Sequence, residues 1–159
     1  MNLSARDVFG LVLFIAICLS MGAIGGLWTA SSVGSWYASL AKPALTPPGW
    51  IFGPVWSTLY IMMGVAAWLY LKKAGWPAAY PGLALFAVHL LVNLSWSGVF
   101  FGDKNPGDAL AVIGLLWVMI AILILIFWTV SSIAGVLLMP YLAWVSFASY
   151  LNYAIWRLN

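Results

Sequence analysis

The chain has 159 residues, of which 65% are apolar and 6% are charged, with a formal net charge of +3. This composition excludes a soluble globular domain, in which charged residues make up roughly 25%, and it is typical of a helical integral membrane protein. The basic residues are scattered at segment ends and connections, so they suit lipid headgroups and do not indicate nucleic-acid binding. The single cysteine, Cys18, excludes an intrachain disulfide and lies in an apolar run typical of an inert buried thiol.

Apolar runs of membrane-spanning length divide the chain into five predicted helices. Arg6 precedes the first run, and because no convincing cleavage signal follows, we expect a retained helix rather than a signal peptide. The uncharged run from Ala109 to Trp156 is too long for one crossing, so we expect two helices with a turn at Ser131 and Ser132. The sequence therefore predicts one all-α membrane domain, residues 1–159, with helices at about 8–28, 48–71, 81–101, 109–129 and 133–157.

Prolines and capping residues mark the ends of these helices. Thr46 followed by Pro47 is typical of an N-cap and a first helical residue, so we expect the second helix to begin there. Asp108 is the expected N-cap of the fourth helix. Pro54 and Pro140 lie inside predicted helices, where we expect bends.

Five crossings place the two termini on opposite sides of the membrane, but the basic residues do not orient the chain. They divide equally between the two sides, so the positive-inside rule gives no direction. They are Arg6, Lys72 and Lys73 on one side and Lys42, Lys104 and Arg157 on the other.

The connection between the first two helices is rich in proline and aromatic residues. Apolar residues at helical spacing predict a short helix with one aromatic face inside this connection. They are Val33, Trp36, Tyr37 and Leu40, and Pro43 then ends the helix. A long connection with its own helix is typical of a lid over a binding site, whereas its Trp and Tyr residues are equally typical of an anchor at the membrane–water boundary.

Polar residues inside the predicted membrane helices are few and therefore informative. With one histidine, one cysteine and no acidic residue away from helix ends, the sequence predicts no catalytic constellation and no metal site. The third helix places four residues on one face: His89, Asn93, Trp96 and Phe100. His89 and Asn93 are candidate ligand contacts, and His89 offers an axial nitrogen for haem iron. Interhelical hydrogen bonding is the alternative for both residues.

Two other predicted helices carry aromatic stripes at helical spacing. The stripes consist of Trp56, Tyr60, Met63 and Ala67 on the second helix, and Tyr141, Trp144, Ala148 and Asn152 on the fifth. Such stripes are usually core packing. In a chain with 11 tryptophans they are also typical of flat walls around a flat, largely apolar ligand.

Two weaker motifs lie near the ends of the chain. Gly22 and Gly26 have the spacing that allows close approach of two membrane helices, which predicts a dimer contact, with helix-end flexibility as the alternative. Leu151, Tyr153 and Arg157 fit a pattern proposed for cholesterol contact, although aromatic and basic residues are expected at the end of any membrane helix.

These motifs together resemble the tryptophan-rich sensory protein and translocator protein family (TspO/MBR), also called peripheral benzodiazepine receptors. The resemblance extends in order through nearly the whole chain, and the fourth helix is matched only by order and length. The resembling segments are Trp36–Leu40, Lys42–Pro43, Thr46–Trp50, Gly53–Trp56, Leu59–Tyr60, Met63–Gly64, Asn93, Trp96, Phe100–Gly102, Pro140–Trp144, Phe147, Leu151–Tyr153 and Trp156–Arg157. Two positions depart from the family's pattern: Leu45, where many members have an aromatic residue, and His89, where many have an amide.

The resemblance implies a bundle of five membrane helices, often a homodimer, with a pocket closed by the first connection. It also implies ligands such as protoporphyrin IX, haem, sterols and benzodiazepine-type compounds, with no required cofactor. The implied ligand-binding residues are Trp50, Phe52, Trp56, Tyr60, Asn93, Trp144 and Ala148.

The function that the resemblance implies is that of a membrane receptor or carrier with a sensory or transport role. The membrane is that of a bacterial cell envelope, or the mitochondrial outer membrane in a eukaryote. The alternative is a light-dependent enzyme that degrades porphyrin with the help of Trp56 and Trp144, since the sequence has no acid–base machinery for a reaction in the dark.

Overall fold

A computed structural model describes residues 4–159, and within that range it contains helices and no β-strand. Five of the helical segments are long and apolar enough to cross a membrane, which confirms an all-α, multi-pass membrane protein. The α-helices are α1 (Ala5–Val33), α2 (Trp36–Ser39), α3 (Phe52–Ala74), α4 (Tyr80–Ser97), α5 (Pro106–Val130) and α6 (Ser132–Leu158). A 3₁₀ turn at Gly49–Ile51 precedes α3, and a π-helical turn at Gly98–Gly102 extends α4.

The long helices form a closed ring. α1 packs against α3 and α4, α5 packs against α4 and α6, and α6 packs against α3. Successive long helices run in opposite directions, so the first connection (residues 34–48), the α4–α5 turn and the end of α6 lie on one side of the bundle. We call this side the loop end and the opposite side the closed end.

Glycines beneath large groups hold the helices together at the closed end. A Cβ on Gly64 of α3 would lie 2.7 Å from the Cα of Ile15 on α1, so only glycine permits that approach of the two backbones. Gly82 of α4 lies under the Tyr70 ring in the same way. The other face of Tyr70 stacks on Phe127 of α5 with ring centroids 4.3 Å apart. Three helices therefore meet here without a gap.

The start of the second membrane helix differs from the prediction. Thr46 does not cap a helix, because its Oγ1 donates to the carbonyl of Pro43 at 2.8 Å and closes a turn within the connection. Pro48 has an extended backbone, and a proline disfavours helix in the residue before it, so Pro47 cannot be the first helical residue. The helix begins with the 3₁₀ turn, and Pro54 lies in the first turn of α3, where its missing amide is not needed.

The two ends of α5 are defined by polar side chains. Asn105, rather than the expected Asp108, is the N-cap, because its Oδ1 accepts from the Asp108 amide at 3.1 Å. Asp108 instead accepts from the Asn105 side-chain amide at 2.7 Å, which fixes the capping residue. At the other end Ser131 interrupts the long apolar run at the expected place and caps α6.

Candidate ligand-binding cavity

A cavity of about 890 Å³ occupies the loop end of the bundle. Its walls come from the second half of α1, the first half of α3, the end of α4 with its π-helical turn, and α6. The first connection forms its roof. A volume of this order is typical of a small-molecule site, for which about 300–1,000 Å³ is usual.

The wall formed by α3 and α6 is aromatic. Helical spacing puts Trp56 and Tyr60 on one face of α3, with ring centroids 5.7 Å apart. Phe52 meets Trp144 of α6 edge to face at 5.8 Å, and Ala148 lies one turn beyond Trp144. Five of the predicted ligand-binding residues therefore line one continuous surface.

The opposite wall, on α1, is built from small residues. It is formed by Gly22, Ala23, Gly25, Gly26, Thr29 and Ala30. A Cβ on Gly22 would overlap the Tyr60 ring, so this glycine serves a contact within the chain. A Cβ on Gly26 would meet nothing within 4 Å, because the cavity lies beside it. The dimer contact expected of Gly22 and Gly26 stays a prediction.

The roof is tied to the rest of the bundle by rings and by one side-chain amide. Trp36 meets Phe100 at 5.8 Å and Tyr37 meets Phe101 at 5.6 Å between ring centroids. The Asn159 side chain accepts from the amide of Ala41 and donates to its carbonyl, each at 3.0 Å. The first connection is therefore held closed over the cavity, as a lid would be.

Lys42 is the basic residue of the roof, and it lines the cavity. Its Nζ donates to the carbonyls of Ala38 and Leu40 and lies 4.8 Å from the centre of the Tyr37 ring. Burial raises the pKa of the Tyr37 hydroxyl, which therefore stays neutral beside the ammonium group. The positive charge at the mouth of the cavity is thus not neutralised by a neighbouring side chain that it contacts.

One buried polar atom on the aromatic wall has no partner. The indole Nε1 of Trp144 lacks a hydrogen-bond acceptor within residues 4–159. Nearby polar groups are satisfied, since Asn152 accepts from the Trp96 indole at 3.0 Å and donates to the Pro106 carbonyl at 2.7 Å. A buried donor without an acceptor is unfavourable, so this position suits an acceptor atom on a bound molecule.

Three of the predicted ligand-binding residues lie elsewhere. Trp50 is 74% exposed in the 3₁₀ turn and does not line the cavity. His89 and Asn93 are buried behind the aromatic wall, where both hydrogen-bond to the Tyr141 hydroxyl. The structure therefore places these two residues in the interhelical hydrogen bonds that the sequence left open as the alternative.

The proposed sterol motif is divided between two surfaces. Leu151 lines the cavity, whereas Tyr153 is 49% exposed on the outside of α6. The Arg157 guanidinium lies over the neighbouring Trp156 ring at 5.9 Å. The three residues do not form one binding surface in the structure.

The small-residue wall is the part of the site that the sequence analysis missed. Its signal was present, because small residues recur along the second half of α1 at helical spacing. That spacing was interpreted as a contact between two helices rather than as space for a ligand. Periodicity locates such a face but does not state what covers it.

Comparison with known proteins supplies an independent line of evidence. The sequence model of the TspO/MBR family matches residues 14–157. The chain is 44% identical to the tryptophan-rich protein TspO of Chlorobaculum tepidum, over 97% of this chain and 98% of that protein. It is 39% identical to the protein CrtK of Rhodobacter capsulatus, over 93% and 91% of the two chains. It is 40% identical to the translocator protein of Bos taurus, over 87% and 83%.

Proposed function

The chain belongs to the TspO/MBR family, and on that premise we propose that it is a membrane receptor or carrier that binds a tetrapyrrole, such as protoporphyrin IX or haem, in the cavity at its loop end. The relatives' names, which include translocator protein and tryptophan-rich sensory protein, support a role in sensing or transport. The observation that carries the ligand class is the cavity of about 890 Å³ with one aromatic wall and one wall of small residues.

A flat and largely apolar ring system matches this arrangement. The rings of Trp56, Tyr60 and Trp144 offer stacking and edge-to-face contacts. The missing side chain at Gly26 leaves the thickness that such a ring needs. A nonplanar or strongly polar ligand would use neither wall well.

The two polar features of the cavity also suit a tetrapyrrole. Trp144 Nε1 can donate to a ligand acceptor without losing a bond within the protein. Lys42 at the roof can pair with a propionate that reaches the membrane surface. A sterol has less support, because only Leu151 of its predicted motif lines the cavity.

The second candidate function is light-dependent oxidation of a bound porphyrin. It is favoured by the position of Trp56 and Trp144, which line the same cavity and would flank the ligand. A receptor returns its porphyrin unchanged after illumination in oxygen, whereas an enzyme yields a new product that depends on both light and oxygen. Chromatography of the extracted pigment distinguishes these outcomes.

Titration with protoporphyrin IX, followed by the shift of the porphyrin absorption band, tests the binding proposal. In Trp144→Ala we expect affinity to fall by about 1–3 kcal/mol, by analogy with base–aromatic stacking. Trp144→Phe keeps a ring and loses only the indole donor, so we expect a smaller loss. Trp50→Phe is the matched control, because Trp50 is exposed outside the cavity. Unchanged affinity in a well-folded Trp144→Ala protein would overturn the proposal.

A further inference from the structure

A chain of four side chains lies behind the aromatic wall and joins α3, α4 and α6. Tyr60 Oη is 2.5 Å from Asn93 Oδ1, Asn93 Nδ2 is 2.8 Å from Tyr141 Oη, and Tyr141 Oη is 2.9 Å from His89 Nε2. His89 Nδ1 is 3.2 Å from the carbonyl oxygen of Phe86. All four side chains are buried, and Tyr60 also lines the cavity. The chain therefore connects the middle of the bundle to the ligand-binding wall.

The backbone carbonyl at one end gives the chain its direction. The Phe86 oxygen can only accept, so His89 Nδ1 must carry a hydrogen. The buried polar residues of the described chain are Ser32, His89, Asn93, Ser131 and Asn152, which include no carboxylate to balance a charged imidazole. His89 is therefore neutral, and its Nε2 accepts a hydrogen bond from Tyr141.

Each following bond inherits that direction. The Tyr141 hydrogen is committed to His89, so the Tyr141 oxygen accepts from the side-chain amide of Asn93. This fixes the orientation of the amide and turns Asn93 Oδ1 toward Tyr60, whose hydroxyl donates to it. The only hydroxyl hydrogen of Tyr60 is thus used inside the protein. A ligand group that reaches this hydroxyl meets lone pairs only.

We propose that His89 is a specificity-determining positioning residue, which acts through Tyr141 and Asn93 to make Tyr60 an acceptor and never a donor toward the cavity. This rests on the proposed function, since it concerns the ligand that the cavity binds. The cavity then favours a ligand with an N–H donor beside Tyr60, such as a pyrrole or an amide, and an acceptor beside Trp144 Nε1. Reversing the chain would leave two lone pairs, on His89 Nδ1 and the Phe86 carbonyl, facing each other at 3.2 Å.

The direction of the chain can be measured without any ligand. The protein contains a single histidine, so labelling with ¹⁵N-histidine gives one pair of ring-nitrogen signals in NMR of the full-length protein in detergent or lipid. We expect Nδ1 to have the shift of a protonated, pyrrole-type nitrogen and Nε2 that of an unprotonated, pyridine-type nitrogen. The opposite tautomer, or a doubly protonated ring, would overturn the proposal.

The consequence for ligands is tested with two flat tricyclic probes of nearly the same shape, carbazole with an N–H donor and dibenzofuran with an oxygen acceptor. The quantity compared is the ratio of their affinities. Tyr60→Phe removes the acceptor, and we expect this ratio to shift against carbazole by about five- to tenfold. His89→Gln offers both a donor and an acceptor to Tyr141, so the chain can reverse, and we expect a smaller shift in the same direction.

Tyr70→Phe is the matched control, because Tyr70 is a buried tyrosine of α3 outside both the cavity and the chain. We expect it to leave the ratio unchanged. A ratio that falls in Tyr60→Phe but keeps its wild-type value in a folded His89→Gln protein would overturn the role of His89. If the wild-type protein binds neither the probes nor protoporphyrin IX, the proposed function fails and the specificity role fails with it, whereas the NMR result still reports the direction of the chain.

Discussion

The two ends of the bundle use the same kind of residue for opposite purposes. At the closed end Gly64 lets α1 and α3 touch, and a Cβ there would lie 2.7 Å from the Ile15 backbone. At the loop end Gly26 belongs to the same helix pair, and a Cβ there would meet nothing within 4 Å. One glycine closes the interface between α1 and α3, and the other leaves it open as part of a cavity. A small residue in a membrane helix therefore creates space, and the neighbouring helix decides whether that space is filled.

Aromatic residues differ between the two ends in the same way. At the closed end Tyr70 is packed between Gly82 and Phe127, so both of its faces are covered. At the loop end Trp56 and Trp144 cover each other only in part, and both line the cavity. The closed end should therefore govern stability, and the loop end should govern binding.

The largest expected effect comes from filling the space at the closed end. In Gly64→Leu the new side chain meets backbone atoms of α1 that cannot move aside, so we expect the protein to lose about 1–3 kcal/mol of stability or more. Thermal unfolding in detergent, followed by circular dichroism, measures this loss. Gly26→Ala is the control and should be as stable as wild type or slightly more so. Equal melting of Gly64→Leu and wild type would mean that α1 and α3 are not held together here.

Filling the space at the loop end should separate binding from stability. In Gly26→Leu the side chain enters the cavity without striking protein, so we expect porphyrin affinity to fall by about tenfold or more, roughly 1.4 kcal/mol, with an unchanged melting temperature. Gly26→Ala should bind with an affinity between the two. Cross-linking of the same variant also tests the predicted dimer, because a lower dimer fraction would place Gly26 at a subunit contact. Wild-type affinity in Gly26→Leu would show that the ligand does not approach α1.

Much of this contrast could be predicted from the sequence, and one part could not. Hydrophobic length gave five membrane crossings and the turn at Ser131, because both follow from the thickness of the membrane. Helical spacing gave the aromatic faces of Trp56 and Trp144 for the same local reason. The distinction between Gly64 and Gly26 depends on what a different helix places opposite each residue. Sequence spacing along one helix contains no information about that.

The buried polar residues show the same limit. His89 and Asn93 were recognised as informative from their cost inside a membrane. Their partner Tyr141 lies 48 residues beyond Asn93 in the chain, so the hydrogen bonds that direct them to the core could not be derived locally. The unpartnered indole of Trp144 could not be predicted either, since an absent acceptor has no sequence pattern.

A weaker perturbation tests whether the roof moves as a lid or serves as an anchor. Asn159→Ala removes the two hydrogen bonds to Ala41, and we expect porphyrin release to become about fivefold faster, since a pair of partly exposed bonds contributes about 1 kcal/mol. Stopped-flow displacement measures the off-rate. Shortening the roof between Ala38 and Leu45 should accelerate release further. An unchanged off-rate together with a lower melting temperature would identify the first connection as an anchor.

The smallest expected effect concerns the charge in the roof. Lys42→Ala should reduce affinity for protoporphyrin IX by at most about 1 kcal/mol, because a pair near the membrane surface is screened by water and salt. Repeating the titration at high salt should reduce the difference between variant and wild type. Lys73→Ala is the control, because Lys73 lies at the end of α3 on the closed side. A loss as large as that of Trp144→Ala would make charge, and not aromatic contact, the main source of affinity.

The π-helical turn at the end of α4 has a consequence for mutation by deletion. The Asp103 amide donates to the Gly98 carbonyl at 2.9 Å, so this turn contains one residue more than an α-helical turn. The adjacent rings of Phe100 and Phe101 both line the cavity, and Tyr37 packs against both. Removing one codon anywhere in this turn would restore regular helix and rotate the following residues by about 100° relative to the preceding ones. A deletion that costs no helix would thus separate the roof from its support, so selection acts here on the length of the reading frame as well as on residue type.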